Sequence, residues 1–178
     1  MFGPLEAAGI EVFHSDLKEG DGIDLAGDIL DPAVVERLAT MKFKAVLLSN
    51  LLEHVRDRDA VARACERIVG PGGHILVTVP RSYPYHPDPI DTLYRPSPEE
   101  LARLFADSAL TRSTVVEDRN FADDLRRQGL SPAKELRSLA LRWLTFFRRT
   151  RGLLSRTHRW LWYRRPYQTS VALLTVKG

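Results

Sequence analysis

The stretch RSYPYHPDPIDTLYRPS, residues 81–97, holds the densest group of side chains able to handle a proton. His86 is the natural base there, since an unperturbed imidazole titrates near neutrality. Asp91 is spaced to orient it, and Tyr83, Tyr85, Tyr94 and Arg95 stand close by in sequence. The same residues carry a plainer reading. His-Pro-Asp-Pro is rigid turn chemistry, and Asp91 pairs with Arg95 to pin the loop. A second group is dispersed. Asp16, Asp28 and Asn50 each lie at or just after the end of an apolar run, in VFHSD, DLAGD and AVLLSN. Neither His74 nor His86 has acids or other histidines at metal-ligand spacing, so no metal is expected.

Residues so far apart converge only if regular elements carry them. Ile10–Phe13 and Ile23–Leu25 read as short strands. Asp31 and Pro32 form an N-cap and first helical position for DPAVVERLATMKFK. AVLLSN is a continuous apolar run suited to a strand buried on both faces. Val61, Ala64, Cys65 and Ile68 recur at helical period until Gly70-Pro71-Gly72-Gly73 stops them. Glu53 is expected as an exposed first-turn acid of that helix, and His54 as packed against the next element. HILVTVP is a strand, Ser97 to Glu100 a capping box, RSTVVEDRNF a strand and TSVALLTV the last one. The alternation predicts an α/β fold with a mostly parallel sheet and helices on both faces. Ligands bind such sheets beyond the carboxyl ends of the strands, which would turn Asp16, Asp28 and Asn50 toward one crevice.

Composition narrows the class. The chain has 178 residues, 44% apolar and 28% charged, enough for one domain with a real core. Its single cysteine, Cys65, excludes an internal disulfide and a multi-cysteine zinc site, and reads as a buried small hydrophobe. There is no signal-peptide pattern and no apolar stretch long enough to cross a bilayer. A cytoplasmic setting is therefore the expectation. The net charge of +3 hides an asymmetry: residues 126–165 hold eleven Arg and one Lys against one Glu, a net +11, which leaves about −8 elsewhere.

Taken in order, VFHSDL, DLAGDIL, AVLLSNLLEHVRD and IVGPGGHILVTVP resemble the class I S-adenosylmethionine-dependent methyltransferases, most closely the type 11 group. The likeness covers roughly residues 10–120 and the final strand. It implies a Rossmann-like α/β sheet whose last strand runs antiparallel to the rest. It further implies that Asp16, with Leu17 beside it, bonds the ribose hydroxyls of the cofactor. By the same resemblance Asp28 accepts from the adenine amino group, Ile29 lies against the ring, and Asn50 and Leu51 stand beside the methionine part. The loop carrying Tyr83, Tyr85, His86, Asp91, Tyr94 and Arg95 is where the family places substrate-facing residues.

The chain departs from the family at its start. The first strand, the first helix and the glycine-rich loop between them are largely missing, with Phe2-Gly3-Pro4 and Pro4 to Ala8 as remnants. A truncated or decayed form is the expectation, binding S-adenosylmethionine weakly unless the missing part is present. The function so implied is methyl transfer to a small-molecule, sugar or lipid-linked acceptor. The alternative is a non-catalytic methyltransferase-like module acting as a membrane-surface or protein interaction domain.

The domain is expected to span residues 1–178, with a basic amphipathic insertion at about 122–166. On a helical wheel Leu136, Leu139, Ala140, Trp143, Leu144, Phe146 and Phe147 share one side, with Arg137, Arg142, Arg148 and Arg149 opposite. Three readings stay open. The insertion packs over the substrate loop; or it lies on the inner membrane face through Leu136, Trp143, Phe147, Arg148 and Arg149; or it binds nucleic acid, which the unbroken aromatic face disfavours.

Overall fold

The computed structural model describes residue 5 and residues 7–86, 90–144 and 150–178. A four-stranded sheet organises the chain, in the order β3–β4–β6–β5, with β3 Ala45–Ser49, β4 His74–Ser82, β5 Ser108–Glu117 and β6 Gln168–Val176. β3 and β4 pair in parallel, and β6 runs antiparallel to both β4 and β5. Three of the four strands therefore point one way and only the last opposes them, as the sequence predicted. Two further strands, β1 Ser15–Asp16 and β2 Leu25–Ala26, form a separate parallel ladder with Asp16 opposite Ala26.

The helices start and stop where capping chemistry dictates. α1, Pro32–Thr40, opens on Asp31, whose carboxylate accepts from the Ala33 N–H at 2.9 Å. α2, Arg58–Val69, is capped by Asp57 and ends at Gly70, whose φ of +65° suits glycine. The short helix α3, Pro98–Ala102, carries the full Ser97–Glu100 capping box. α4, Phe121–Arg127, has a second box between Asn120 and Asp123. That box cuts off the strand expected to run through RSTVVEDRNF, so β5 lies earlier and ends at Glu117. α5, Pro132–Leu144, and α6, Thr150–Arg159, follow, and a 3₁₀ turn, Trp160–Trp162, leads to β6.

The core sits on one side of the sheet. Leu48, Ile75, Val77, Val79, Ala172, Leu174 and Val176 face Val61, Ala62, Cys65, Leu101 and Phe105. Apolar area on this scale, at about 25 cal/mol per Å² removed from water, is the main favourable term for a domain of this size. Cys65 is buried, and desolvation pushes its thiol up to about 12, so it is inert packing. The other face is a correction to the expected cover on both sides. Leu47 and Leu76 are cross-strand partners there, and Leu47 is 42% exposed. β3 has a neighbour on one edge alone among the described residues, so only its Leu48 is buried. The expected strand Ile10–Phe13 does not form: β1 begins only at Ser15, and of Ile23–Leu25 just Leu25 lies in β2, each strand of this ladder having one partner among the described residues. A second cluster, Leu25, Leu38 and Ile68 with Phe13, Phe43 and Val46 against it, ties the ladder to α1 and α2.

Candidate active site

Asp16 ends β1 and Asp28 follows β2 by two residues, so the parallel register sets both carboxylates at the same end of one ladder. The Gly27 N–H donates to the Asp16 carbonyl at 2.8 Å and fixes that junction. A Cβ at Gly27 would meet Val34 Cγ2 at 2.8 Å, which leaves glycine the residue that fits. Each carboxylate also closes a local turn: Asp16 Oδ1 accepts from the Lys18 N–H at 3.2 Å and Asp28 Oδ1 from the Leu30 N–H at 2.9 Å. Their other oxygens make no hydrogen bond among the described residues. Turn formation thus uses half of each group and leaves the other half exposed for a donor.

Asn50 follows β3 in the left-handed region, at φ +52°, which asparagine tolerates better than most residues. Its N–H donates to the Thr78 carbonyl at 3.0 Å, and its side-chain oxygen accepts from the Thr78 hydroxyl at 3.3 Å. Leu51 and Ile29 both pack on the main core, so the segments after β2 and β3 share one support. Leu17 is exposed.

The loop after β4 is built around Asp91. Its buried carboxylate takes two hydrogen bonds from Arg95, at 3.1 and 2.6 Å. The N–H groups of Leu93 and His86 add two more, at 2.8 and 3.2 Å. Burial alone would raise its pKa; the guanidinium and the two backbone donors together outweigh burial and hold it below the usual range. His86 Nδ1 lies 3.0 Å from Asp91 Oδ2, at an angle poor for a hydrogen bond. Asp91 therefore pins the loop through Arg95, with the His86 ring beside it.

The other loop residues divide. Tyr83 stacks edge-on to His86 at 5.6 Å and packs on Tyr167 at 4.8 Å. Tyr85 offers its backbone to the insertion, its carbonyl accepting from the Ser155 hydroxyl at 3.2 Å. Tyr94 turns inward, under the Arg58 guanidinium at 4.2 Å, where desolvation raises its phenol. Arg95 is spent on Asp91 and on the Tyr94 carbonyl.

Glu53 departs from its expectation, while His54 packs against a following loop. Glu53 is 1% exposed, not an exposed acid of a helix, because α2 starts only at Arg58. Thr92 holds it in place, donating to the Glu53 carbonyl through both its N–H (2.9 Å) and its hydroxyl (2.8 Å). His54 reaches across to the loop after β4, its Nδ1 2.5 Å from the Ile90 carbonyl. Its ring meets His86 edge-on at 5.3 Å. The sequence signal was the Glu-His pair itself, standing ahead of the Asp57 cap.

The insertion packs beside this loop. Trp162 Nε1 donates to the Ser82 hydroxyl at 3.0 Å, at the end of β4. Phe121, Leu125, Trp162 and Tyr167 form a buried cluster with Tyr83 against it. Asp124 joins it together, accepting from Tyr167 Oη at 2.8 Å and pairing with Arg119 and Arg159. Of the proposed lipid-facing residues, Phe147, Arg148 and Arg149 lie outside the described residues.

Residues 12–77 match the family model described as a methyltransferase domain. Over that stretch the chain is similar to the methyltransferase domain family. Solved structures extend the likeness to the whole chain as a fold. The MccD protein is 14% identical at a TM-score of 0.55, covering 97% of this chain and 83% of that one. The [4+2]-cyclase SpnF is 14% identical at 0.51, covering 98% and 61%. Phosphoethanolamine N-methyltransferase 2 of Haemonchus contortus, in complex with S-adenosyl-L-methionine, is 14% identical at 0.49, covering 99% and 46%. The chain thus spans about half to two thirds of the length of the last two. No curated protein matches it. The order and direction of β3, β4, β6 and β5 fit the Rossmann-like methyltransferase sheet, and no helix among the described residues is long and apolar enough to cross a membrane.

Proposed function

We propose that this domain transfers a methyl group from S-adenosylmethionine to a small-molecule, sugar or lipid-linked acceptor. The observation that carries the reading is the pair of exposed carboxylates, Asp16 and Asp28, set by register at adjacent strand ends inside the methyltransferase match. A carboxylate oxygen suits ribose hydroxyls and an exocyclic amine, since all are donors. The donor set therefore fits the adenosine half of the cofactor, with Ile29 as apolar support, and Asn50 and Leu51 beside its methionine end. The cofactor, when bound, supplies an electrophilic methyl group on a sulfonium. The chain's task is then to align the acceptor, exclude water and remove a proton where the acceptor carries one. His86 is the residue proposed to take that proton, supported by the Asp91 carboxylate 3.0 Å from its Nδ1. A related fold also carries the name of a cyclase, so fold by itself does not set the reaction.

Ultraviolet photolabelling with S-adenosylmethionine tests the reading. Label should fall on peptides holding residues 16–29 or 50–51; label confined to other peptides would exclude this crevice.

A second reading concerns where the domain works. Leu136 and Leu144 on α5 are 50% and 80% exposed, within the segment of net charge +11. Such a face suits the surface of an anionic membrane. The alternative of a non-catalytic module rests on the same surface.

A further inference from the structure

We infer that Glu53, His54 and His86 form a binding site for a divalent transition-metal ion of the zinc class. Each offers one ligand atom, and the three atoms lie within 4.8 Å of one another. Glu53 is buried, and its Oε2 has no hydrogen-bond partner, an orphan acceptor that a cation would satisfy. His54 is already oriented. A carbonyl can only accept, so the His54 Nδ1 facing Ile90 carries the hydrogen. Its Nε2 keeps the lone pair and sits 3.8 Å from Glu53 Oε1. His86 Nδ1 lies 3.0 Å from the Asp91 carboxylate without a hydrogen bond, and the His86 ring supplies the third ligand atom. A carboxylate or carbonyl behind each ligating imidazole is the usual outer arrangement of metal histidines.

The dimensions require a small closure. Tetrahedral bonds near 2.0–2.1 Å put ligand atoms roughly 3.4 Å apart, so a pair at the 4.8 Å limit must draw in by about 1.4 Å. His86, with a side chain 32% exposed, has room to move. Two imidazoles and one carboxylate leave a coordination position open, as catalytic sites do. The buried carboxylate also favours the ion: desolvation outweighs the nearby Arg95 charge and destabilises the anion, and a divalent cation at its orphan oxygen would relieve it.

The site shares its crevice with the proposed methyl transfer and refines that reading. An ion on the His86 ring takes the place of a proton there. With the ion bound, His86 is a ligand, and the ion at its open position would lower the pKa of an acceptor hydroxyl or thiol. The binding itself needs neither cofactor nor acceptor, so it stands or falls separately.

The test is calorimetric titration of the whole protein with Zn²⁺ alone, and with Co²⁺ alone followed by its visible absorbance. One equivalent should bind, with cobalt bands of low coordination number. Glu53→Gln and His86→Asn should each weaken binding at least tenfold, while His74→Ala, remote on β4, should leave it unchanged. Circular dichroism confirms that each variant is folded; His86→Asn, on an exposed loop, serves if Glu53→Gln is not. Absence of a one-equivalent site, or affinity that ignores both substitutions, overturns the inference.

Discussion

Replacing Asp91 with asparagine removes a charge and little volume, which makes it a clean probe of the loop that holds His86. The carboxylate receives four hydrogen bonds, two of them from Arg95. Asparagine keeps one oxygen for a backbone N–H but turns an amide donor toward the guanidinium. Hydrogen bonds to charged groups contribute roughly 1.5–3 kcal/mol, and stranding a buried charge brings the usual loss to about 3–5 kcal/mol. The Arg95 side chain is 15% exposed, so water compensates little. A loss of about 3–4 kcal/mol is expected from urea denaturation at neutral pH, followed by tryptophan fluorescence. The pH dependence follows from the lowered pKa. A carboxylate with a depressed folded pKa stabilises above its unfolded value and stops doing so as pH falls through the folded one. The gap between wild type and Asp91→Asn should stay flat down to about pH 5 and narrow below about pH 4. A loss under about 1 kcal/mol, or a gap that does not narrow in acid, would refute the account of Asp91 as the loop's anchor.

Glu53 should behave oppositely. Desolvation raises its pKa, so its favourable state is the protonated one, present below the unfolded value and lost as pH rises through the folded one. In metal-free protein Glu53→Gln should therefore gain about 1 kcal/mol at neutral pH and nothing near pH 4, by the same denaturation assay. Asp124→Ala should loosen the insertion by about 1–2 kcal/mol, a figure discounted because Arg119 and Arg159 are well exposed. The same change should lower the Tyr167 phenol from its value of about 12, where burial and then Asp124 hold it; ultraviolet titration reads this directly. The protein should co-sediment with anionic vesicles, less so as salt rises, and Leu136→Ser with Leu144→Ser should remove what salt leaves. Equal sedimentation with neutral lipid would speak against the basic face.

Local chemistry was readable wherever the cause was local. Asp31, the Ser97–Glu100 box and Gly70 each announced a boundary through their own side chain or conformation. Asn120 had the same capacity, but the β-branched residues before it extended the apparent strand past its true end. Glu53 is the instructive failure. Its burial depends on Thr92, thirty-nine positions away, bonding its carbonyl, and no spacing rule reports such a contact. For the same reason the approach of His54 to His86 was invisible: each belongs to a different loop, and β3–β4 pairing brings them together. The carboxylates Asp16 and Asp28 do stand at or just after strand ends, though β1 begins beyond the apolar run Ile10–Phe13 that announced it, and the ladder has two strands among the described residues.

The proposed role of Asp16 and Asp28, at the ends of β1 and β2, is to hold the adenosine half of S-adenosylmethionine. Calorimetry with S-adenosylhomocysteine on the 178-residue protein, beside Asp16→Ala and Asp28→Ala, measures it most directly. The account predicts weak but saturable binding in the unaltered protein, reduced roughly tenfold or more by each substitution, the ordinary cost of a lost charge-assisted hydrogen bond. Saturable binding that neither substitution changes, or no binding by the unaltered protein at any soluble concentration, would contradict it.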